Sequence, residues 1–218
     1  ITHDPDRALA VAEELCALNK ERQAIESAIL SEAIEQIEKN VDLENEKILV
    51  LSSDHWHQGV IGIVASRLVE RYGLPCILIT VCDGMGKGSA RSIKGFNINE
   101  ALNACCGFLT KCGGHELAAG LSLEEKNIAE FRKAINDYAK DRITDEMRMP
   151  ELLIDLELRD DEIDLAHAEM LQSLEPYGNG NPTPVFALRG AVIESVTPIG
   201  NDKHLRHARE TSVYGAVF

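Results

Sequence analysis

The stretch KILVLSSDHWHQGVIGIVASRLVERYGLPCILITV, residues 47–81, decides the fold. Lys47-Ile48-Leu49-Val50-Leu51 is an apolar run of strand length, bounded by the polar stretch Ser52-Ser53-Asp54-His55. Ile61, Val64, Leu68 and Tyr72 then recur at helical spacing until Gly73 stops them. Residues 75–81 form a second buried run rich in β-branched side chains. Strand, helix and strand joined by short connections make a βαβ unit, which favours a parallel pair.

Working outward toward the C-terminus, the pattern predicts a glycine-rich turn and a third strand near residues 88–93. Asn97 with Glu100 three residues on opens a helix by a capping-box variant, and Cys112-Gly113-Gly114 ends it. A fourth strand follows over 117–123, and Ser122 with Glu125 reads as a second capping box. The helix after it carries Ile128, Phe131, Ile135 and Tyr138. Residues 46–142 therefore read as one mixed α/β layer structure.

Toward the N-terminus, Asp4 is a helix N-cap and Pro5 the first helical residue. Leu15, Leu18, Ile25, Ile29, Ala33 and Ile37 continue as one long amphipathic helix to about Asn40, its other face mostly acidic. Such a helix suggests a strut between domains. Past residue 142 comes a polar, acidic boundary over 143–162, then a short helix over 162–174. Glu175 to Pro184 is turn or extended loop, and 185–199 and 212–218 look like strands.

The chain has 218 residues, 44% hydrophobic and 27% charged, the balance of an ordinary globular protein. No apolar run approaches the roughly 18–20 residues that cross a bilayer, and the first residues lack the pattern of a signal peptide. The six cysteines form no C-x-x-C pair, which argues for free thiols in a reducing, cytoplasmic setting. The first residue is Ile, so the chain is expected to be a piece of something longer.

A net charge of −14 argues against whole-surface attraction to nucleic acid. The charge is uneven, however. Residues 1–40 hold nine acids against four bases, and residues 150–175 hold nine against one. Between Gly84 and His115 the balance reverses, with Lys87, Arg91, Lys94 and Lys111 against Glu100 alone. If any part of this protein meets a phosphate, it is here.

Gly86-Lys87-Gly88-Ser89-Ala90-Arg91-Ser92 and Cys112-Gly113-Gly114-His115-Glu116-Leu117-Ala118-Ala119-Gly120 are the strongest constellation. Glycines let backbone amides approach an oxyanion, hydroxyls add donors, and Arg91 can present a bidentate fork. If the two segments are neighbouring loops of one sheet, their donors converge on one anion. The competing reading is two tight turns with Arg91 solvated, and composition alone weighs the two equally. His115 can donate to a phosphate, act as an acid, or cap a turn. Asp54-His55-Trp56-His57 invites a metal reading, but no further ligand cluster accompanies it, so a loop pinned by Trp56 is favoured. Lys203 to Arg209, with His204 and His207, is a basic patch on a strand or hairpin, read first as solvated surface.

Six segments in series resemble the RecJ family of single-strand-specific DNA exonucleases, members of the DHH phosphoesterase superfamily. They are LNKERQAIE (18–26), WHQGVIGIVASRLVERYGLPCILI (56–79), GKGSARSIKGFNINEAL (86–102), GGHELAAGLSL (113–123), PYGNGNPTPVF (176–186) and DKHLR (202–206). The resemblance implies three parts. Residues 1–45 look like the long helix connecting two catalytic-core domains. Residues 46–145 look like the DHHA1 domain, a mixed sheet flanked by helices that holds substrate. Residues 150–218 look like the start of a β-barrel OB-fold domain, cut short.

The resemblance also implies roles. Ser89 and Arg91 would grip DNA phosphates, and Gly113, Gly114 and His115 would lie at the substrate phosphate, with His115 an auxiliary catalytic group. Arg22 would face the nucleotide. The family's Asp-His-His motif, which binds manganese or magnesium, does not occur here, so the metal ligands are expected upstream and the chain alone is expected to be inactive. The implied function is the substrate-binding part of a 5′-to-3′ exonuclease of DNA repair and recombination. Its partners would be single-stranded DNA and a single-strand-binding protein. The alternatives are an oligonucleotide or cyclic-dinucleotide phosphodiesterase of the same superfamily, against which residues 176–206 argue, and a DNA-binding scaffold without catalysis.

Overall fold

The computed structural model describes residues 4–149, 151–159, 162–190, 193–199 and 204–209. The chain divides into two compact units, residues 1–150 and 151–218. Among the described residues no helix is long and apolar enough to cross a membrane.

The first unit begins with α1 (Pro5–Asn40), capped by the Asp4 carboxylate, which accepts from the amides of Asp6 and Arg7. Then come β1 (Leu49–Ser53), α2 (Ile61–Tyr72), β2 (Cys76–Cys82), β3 (Met85–Arg91), α3 (Ile98–Ala104), β4 (Lys111–Gly114), β5 (Ala118–Glu124), α4 (Ile128–Ala139) and α5 (Asp145–Arg148). The five strands make one sheet in the order β1-β2-β3-β5-β4. β1 and β2 are parallel, as their helical crossover requires, and every other pair is antiparallel.

Strand alternation sorts the apolar residues onto two faces. Ile48, Val50, Ile77, Ile79, Ala90, Leu121 and Leu123 pack with Ile98 and Leu102 of α3 and Phe131 and Ile135 of α4. Leu49, Leu51, Cys76 and Leu78 face the other way, against Ile29, Ala33 and Ile37 of α1 and Ile61, Val64 and Leu68 of α2. Burying each such side chain contributes about 1.5–3 kcal/mol. α1 and α2 cover β1, β2 and part of β3. The β5–β4 end of that face carries Ala118, Gly120, Ser122, Lys111 and Gly113 instead of large apolar residues.

Several expectations are corrected. The strand expected near 88–93 is present as Met85–Arg91, so the glycine-rich segment is mostly strand and not loop; its turn is only Asp83-Gly84, both at positive φ (51° and 73°), as a two-residue hairpin demands. Gly86 and Gly88 lie inside β3. A Cβ on Gly88 would stand 2.7 Å from Leu121 Cδ2, and one on Gly86 2.8 Å from Ile79 Cγ2. These glycines therefore make room for their neighbours' side chains. The helix opened by Asn97 ends at Ala104, and Lys111–Gly114 is a strand. Ser122 lies in β5 and caps nothing; Asn127 precedes α4 without a side-chain cap. α1 packs only through its second half, since Leu15 and Leu18 are exposed while Ile29, Ala33 and Ile37 are buried.

The second unit holds β6 (Leu156–Glu157), paired in parallel with β7 (Phe186–Ala187), and α6 (Leu165–Gln172), capped by Asp164. β8 (Ile193–Ile199) pairs antiparallel with β9 (His204–Arg209). The basic segment is thus a strand over 204–209. Lys203 and the strand expected over 212–218 lie outside the described residues.

Asn136 joins α4 to the start of β1. Its carbonyl oxygen accepts from the amides of Lys47 (2.7 Å) and Ile48 (2.9 Å), and its amide donates to Ile48 O (3.0 Å). Asn136→Ala removes all three partners at once. Leaving partly buried backbone groups unpaired costs about 1–3 kcal/mol each at full burial, so urea unfolding is expected to show a loss of about 2–3 kcal/mol. An unchanged midpoint would mean that water replaces the carboxamide.

Candidate nucleic-acid interface

The register of three strands brings the glycine-rich segments side by side. Ser89 of β3 stands opposite Gly120 of β5, and Gly120 stands opposite Gly113 of β4. Two residues along, Lys87, Ser122 and Lys111 form a second row. Both rows lie on the open face, opposite to buried Ala90, Ala119 and Leu121. A cavity of about 300 Å³ lies over this floor, lined by Lys87, Lys111, Gly113, Gly120 and Ser122 and by Gln58 from the loop before α2.

Arg91 lies at the end of β3, half-buried. Its Nη1 donates to Ser89 Oγ (3.0 Å) and to Ala90 O (2.8 Å), so the two side chains of the S-x-R element are tied together. The first turn of α2 lies against them: a Cβ on Gly62 would be 2.9 Å from Arg91 Nη2 and 3.0 Å from Ser89 Oγ. Val60, at the N-cap of α2, offers no side-chain acceptor, and the carbonyl of His57 accepts from the amides of Val60 and Ile61 in its place.

The Gly113-Gly114-His115 segment is fixed to the same end of β3 by backbone bonds. His115 N donates to Ala118 O (2.8 Å), Ser92 N to Leu117 O (3.0 Å) and Ile98 N to Glu116 O (3.0 Å). A Cβ on Gly114 would lie 2.4 Å from Ala118 O, so only glycine closes this turn. His115 itself is exposed. A hydroxyl, a guanidinium and the first turn of α2 thus meet at one strand end, to which the backbone of the exposed His115 is tied, and hydroxyl and guanidinium donors suit a phosphate.

Arg22 is held elsewhere. It donates to Asn19 Oδ1 (3.0 Å from Nη2) and to Glu26 Oε2 (2.5 Å from Nη1). Glu26 is buried, with Arg67 Nε of α2 standing 2.5 Å from its other oxygen as an ion pair without hydrogen-bond alignment. Among the described residues no hydrogen bond or ion pair joins Arg22 to Ser89 or Arg91. Gly120, the last residue of the second glycine-rich segment, does join the site, whereas Gly62 and Gln58 carry no mark in the sequence; Gly62 sits in an unbroken helical pattern, and its closeness to Arg91 arises only on folding.

Two family models match the chain, a DHHA1 domain over residues 45–141 and a RecJ OB domain over residues 154–213. The single-stranded-DNA-specific exonuclease RecJ of Bacillus subtilis (strain 168) is 37% identical over 205 residues, covering 93% of this chain and 26% of the relative. Crystal structures of RecJ from Thermus thermophilus, one with Mn2+ and one with Mg2+, are each 33% identical and cover 96% of this chain. They match with TM-scores of 0.78 and 0.77 and are themselves covered to 30% and 32%. The chain thus spans between a quarter and a third of the length of these relatives.

The described residues do not fit such a metal. No group of three or more His, Cys, Asp or Glu among them could hold one. Glu32, Asp54 and His55 do meet, but as a latch. His55 Nδ1 and Nε2 lie 2.9 Å and 2.8 Å from Asp54 Oδ1 and Glu32 Oε2, and buried Trp56 donates to Glu32 through Nε1 (2.8 Å). The loop reading of this segment holds, with α1 supplying the anchor. The bonds to Asp54 and then Glu32 raise the His55 pKa above its ordinary 6.5. Partial burial opposes the charge on Glu32, but hydrogen bonds from Trp56, His55 and Ser53 outweigh it and lower its pKa.

A raised histidine pKa stabilises the folded state fully below 6.5 and loses that contribution as pH rises through the folded value. A lowered carboxylate does the reverse, losing its contribution as pH falls. Melting temperatures between pH 6 and 9 should therefore contain a decline that His55→Asn removes. The same slope in wild type and variant would show that the latch contributes nothing.

Proposed function

We propose that this chain, which belongs to the RecJ family, is the part of a single-strand-specific exonuclease that grips the DNA. The observation that carries the proposal is the junction of Ser89, Arg91 and the Gly113-Gly114-His115 turn at one end of β3. Arg91 and Ser89 take a backbone phosphate there, Gly113 and Gly114 let it approach, and His115 donates to it or serves as an auxiliary acid. Arg22 keeps Glu26 in place and faces the nucleotide from α1.

Residues 1–45 act as the connecting helix, residues 46–145 as the substrate-holding domain, and residues from about 150 as an OB domain that extends the grip along the DNA. The match to a RecJ OB domain supports that reading over a phosphodiesterase of short oligonucleotides or cyclic dinucleotides. Manganese or magnesium belongs, in this proposal, to the portion of the relatives that this chain does not span. The reaction is removal of nucleotides in the 5′-to-3′ direction during DNA repair and recombination. It takes place in the cytoplasm, with a single-strand-binding protein as the companion that presents the DNA. A chain of net charge −14 needs a confined grip of this kind, because its overall field repels the substrate.

Two outcomes test the proposal. Arg91→Ala should weaken binding of single-stranded DNA by about 10- to 100-fold, the range of ~1.5–3 kcal/mol for hydrogen bonds to a charged group. Arg91→Lys should also be impaired, since a lysine keeps the charge without the fork. Both should melt near wild type; early melting with a parallel loss of binding would instead assign Arg91 to bracing the fold. The second outcome concerns chemistry: the purified chain with added manganese should release no nucleotide from a labelled single strand. Release would place a metal-dependent active site within these residues.

A further inference from the structure

Resting on that reading, we propose that the cleft over the β3–β5–β4 floor is a second phosphate subsite, in which Lys87 and Lys111 hold the phosphate next to the one at Ser89 and Arg91. The cleft is the 300 Å³ cavity described above. Lys87 and Lys111 flank Ser122 in one row of the sheet, so two ammonium groups and a hydroxyl face a common space. Both lysines are exposed, and among the described residues neither has an ion-pair partner. No described carboxylate lines the cleft. In a chain with 36 acidic residues against 22 basic ones, two unpaired lysines over one cavity mark a place for an anion.

The spacing suits a nucleic-acid backbone. The Lys87–Ser122–Lys111 row lies two residues from the Ser89–Gly120–Gly113 row, about 7 Å along the strands. A stretched single strand bridges such an interval between successive phosphates. An acidic peptide would match the charge but would not need the floor that lies between the rows.

That floor is the second line of argument. Gly86, Gly88 and Gly114 are glycine because a Cβ would strike a neighbour at 2.4–2.8 Å. Gly113 and Gly120 are different. A Cβ on Gly113 would meet nothing within 4 Å, and one on Gly120 only Gly88 O at 3.9 Å, an ordinary contact. Glycine inside a strand costs backbone entropy, and the protein's own packing gives no return for it at these two positions. Side by side beneath the cleft, they leave a bare backbone surface on which a sugar–phosphate chain can lie.

The experiment uses the full 218-residue chain and 5′-phosphorylated oligothymidylates of one and eight nucleotides, with affinities measured over a range of salt concentrations. The double variant Lys87→Ala/Lys111→Ala should bind the octamer about tenfold more weakly and the mononucleotide like wild type. Its salt slope should fall by about 0.7 for each phosphate that the variant no longer neutralises. Gly120→Ala should keep its melting temperature and lose octamer affinity. If the lysine variant binds the octamer like wild type while Arg91→Ala does not, the subsite is overturned and the grip at Arg91 stands. Equal weakening toward both oligonucleotides would mean one site rather than two. If wild type binds neither, or if Arg91→Ala also binds the octamer like wild type, the underlying reading fails with it. Displacement of the octamer by hexaglutamate at equal concentration would transfer the cleft to an acidic peptide.

Discussion

One strand register, Ser89 of β3 opposite Gly120 of β5, sets the position of everything else at the candidate site. A slip by one residue would turn Ser89 and Arg91 into the core and bring Gly86 and Gly88 to the surface. The register is held from both sides. The two-residue turn at Asp83-Gly84 aligns β3 with β2, and Leu121 and Leu123 fill the space that Gly86 and Gly88 leave. The glycines that look like a phosphate loop in the sequence therefore serve as the keyway, and the polar residues between them gain their exposure from it.

The structure also shows how an acidic chain keeps a cleft lined by basic side chains. Acidic residues are concentrated on α1 and beyond residue 150, away from the window around β3 and β4 in sequence. Where acids and bases do meet, they neutralise each other locally: Glu26 is buried between Arg22 and Arg67, and Glu46 takes a bidentate bond from Arg132. Among the described residues Lys87 and Lys111 have no ion-pair partner, so the charged side chains lining the cleft are opposite in sign to the net charge of the chain. Within a Debye length of about 8–10 Å the local charges decide.

Much of the first unit was legible because its signals are local. The parallel pair, the stop at Gly73, the cap at Asn97 and the apolar face of α4 each depend on residues within one or two turns of each other. β4 was not legible, since Lys-Cys-Gly-Gly has poor strand propensity and becomes a strand only by pairing with β5. The third strand is expected near residues 88–93, and pairing with β2 and β5 sets it at Met85–Arg91, taking in Gly86 and Lys87 as well. On α1 the apolar spacing is continuous, yet Leu15 is exposed and Ile29 buried, because periodicity marks a face without saying where a partner lies along it. At the candidate site, Ser89, Arg91 and the Gly-Gly-His turn could be singled out from composition and resemblance. Gln58 and Gly62 could not, since each gains meaning from a neighbour far along the chain.

Two carboxamides have a further consequence. Asn136 occupies the amides of Lys47 and Ile48 and the carbonyl of Ile48, and Gln36 of α1 donates to Ser52 O (3.3 Å). Side chains thus occupy both ends of the outer border of β1, where a sixth strand would have to pair. The opposite border is β4, only four residues long and carrying Lys111. Any extended partner that seeks backbone pairing with this sheet is steered to β4, the border that also forms one bank of the cleft.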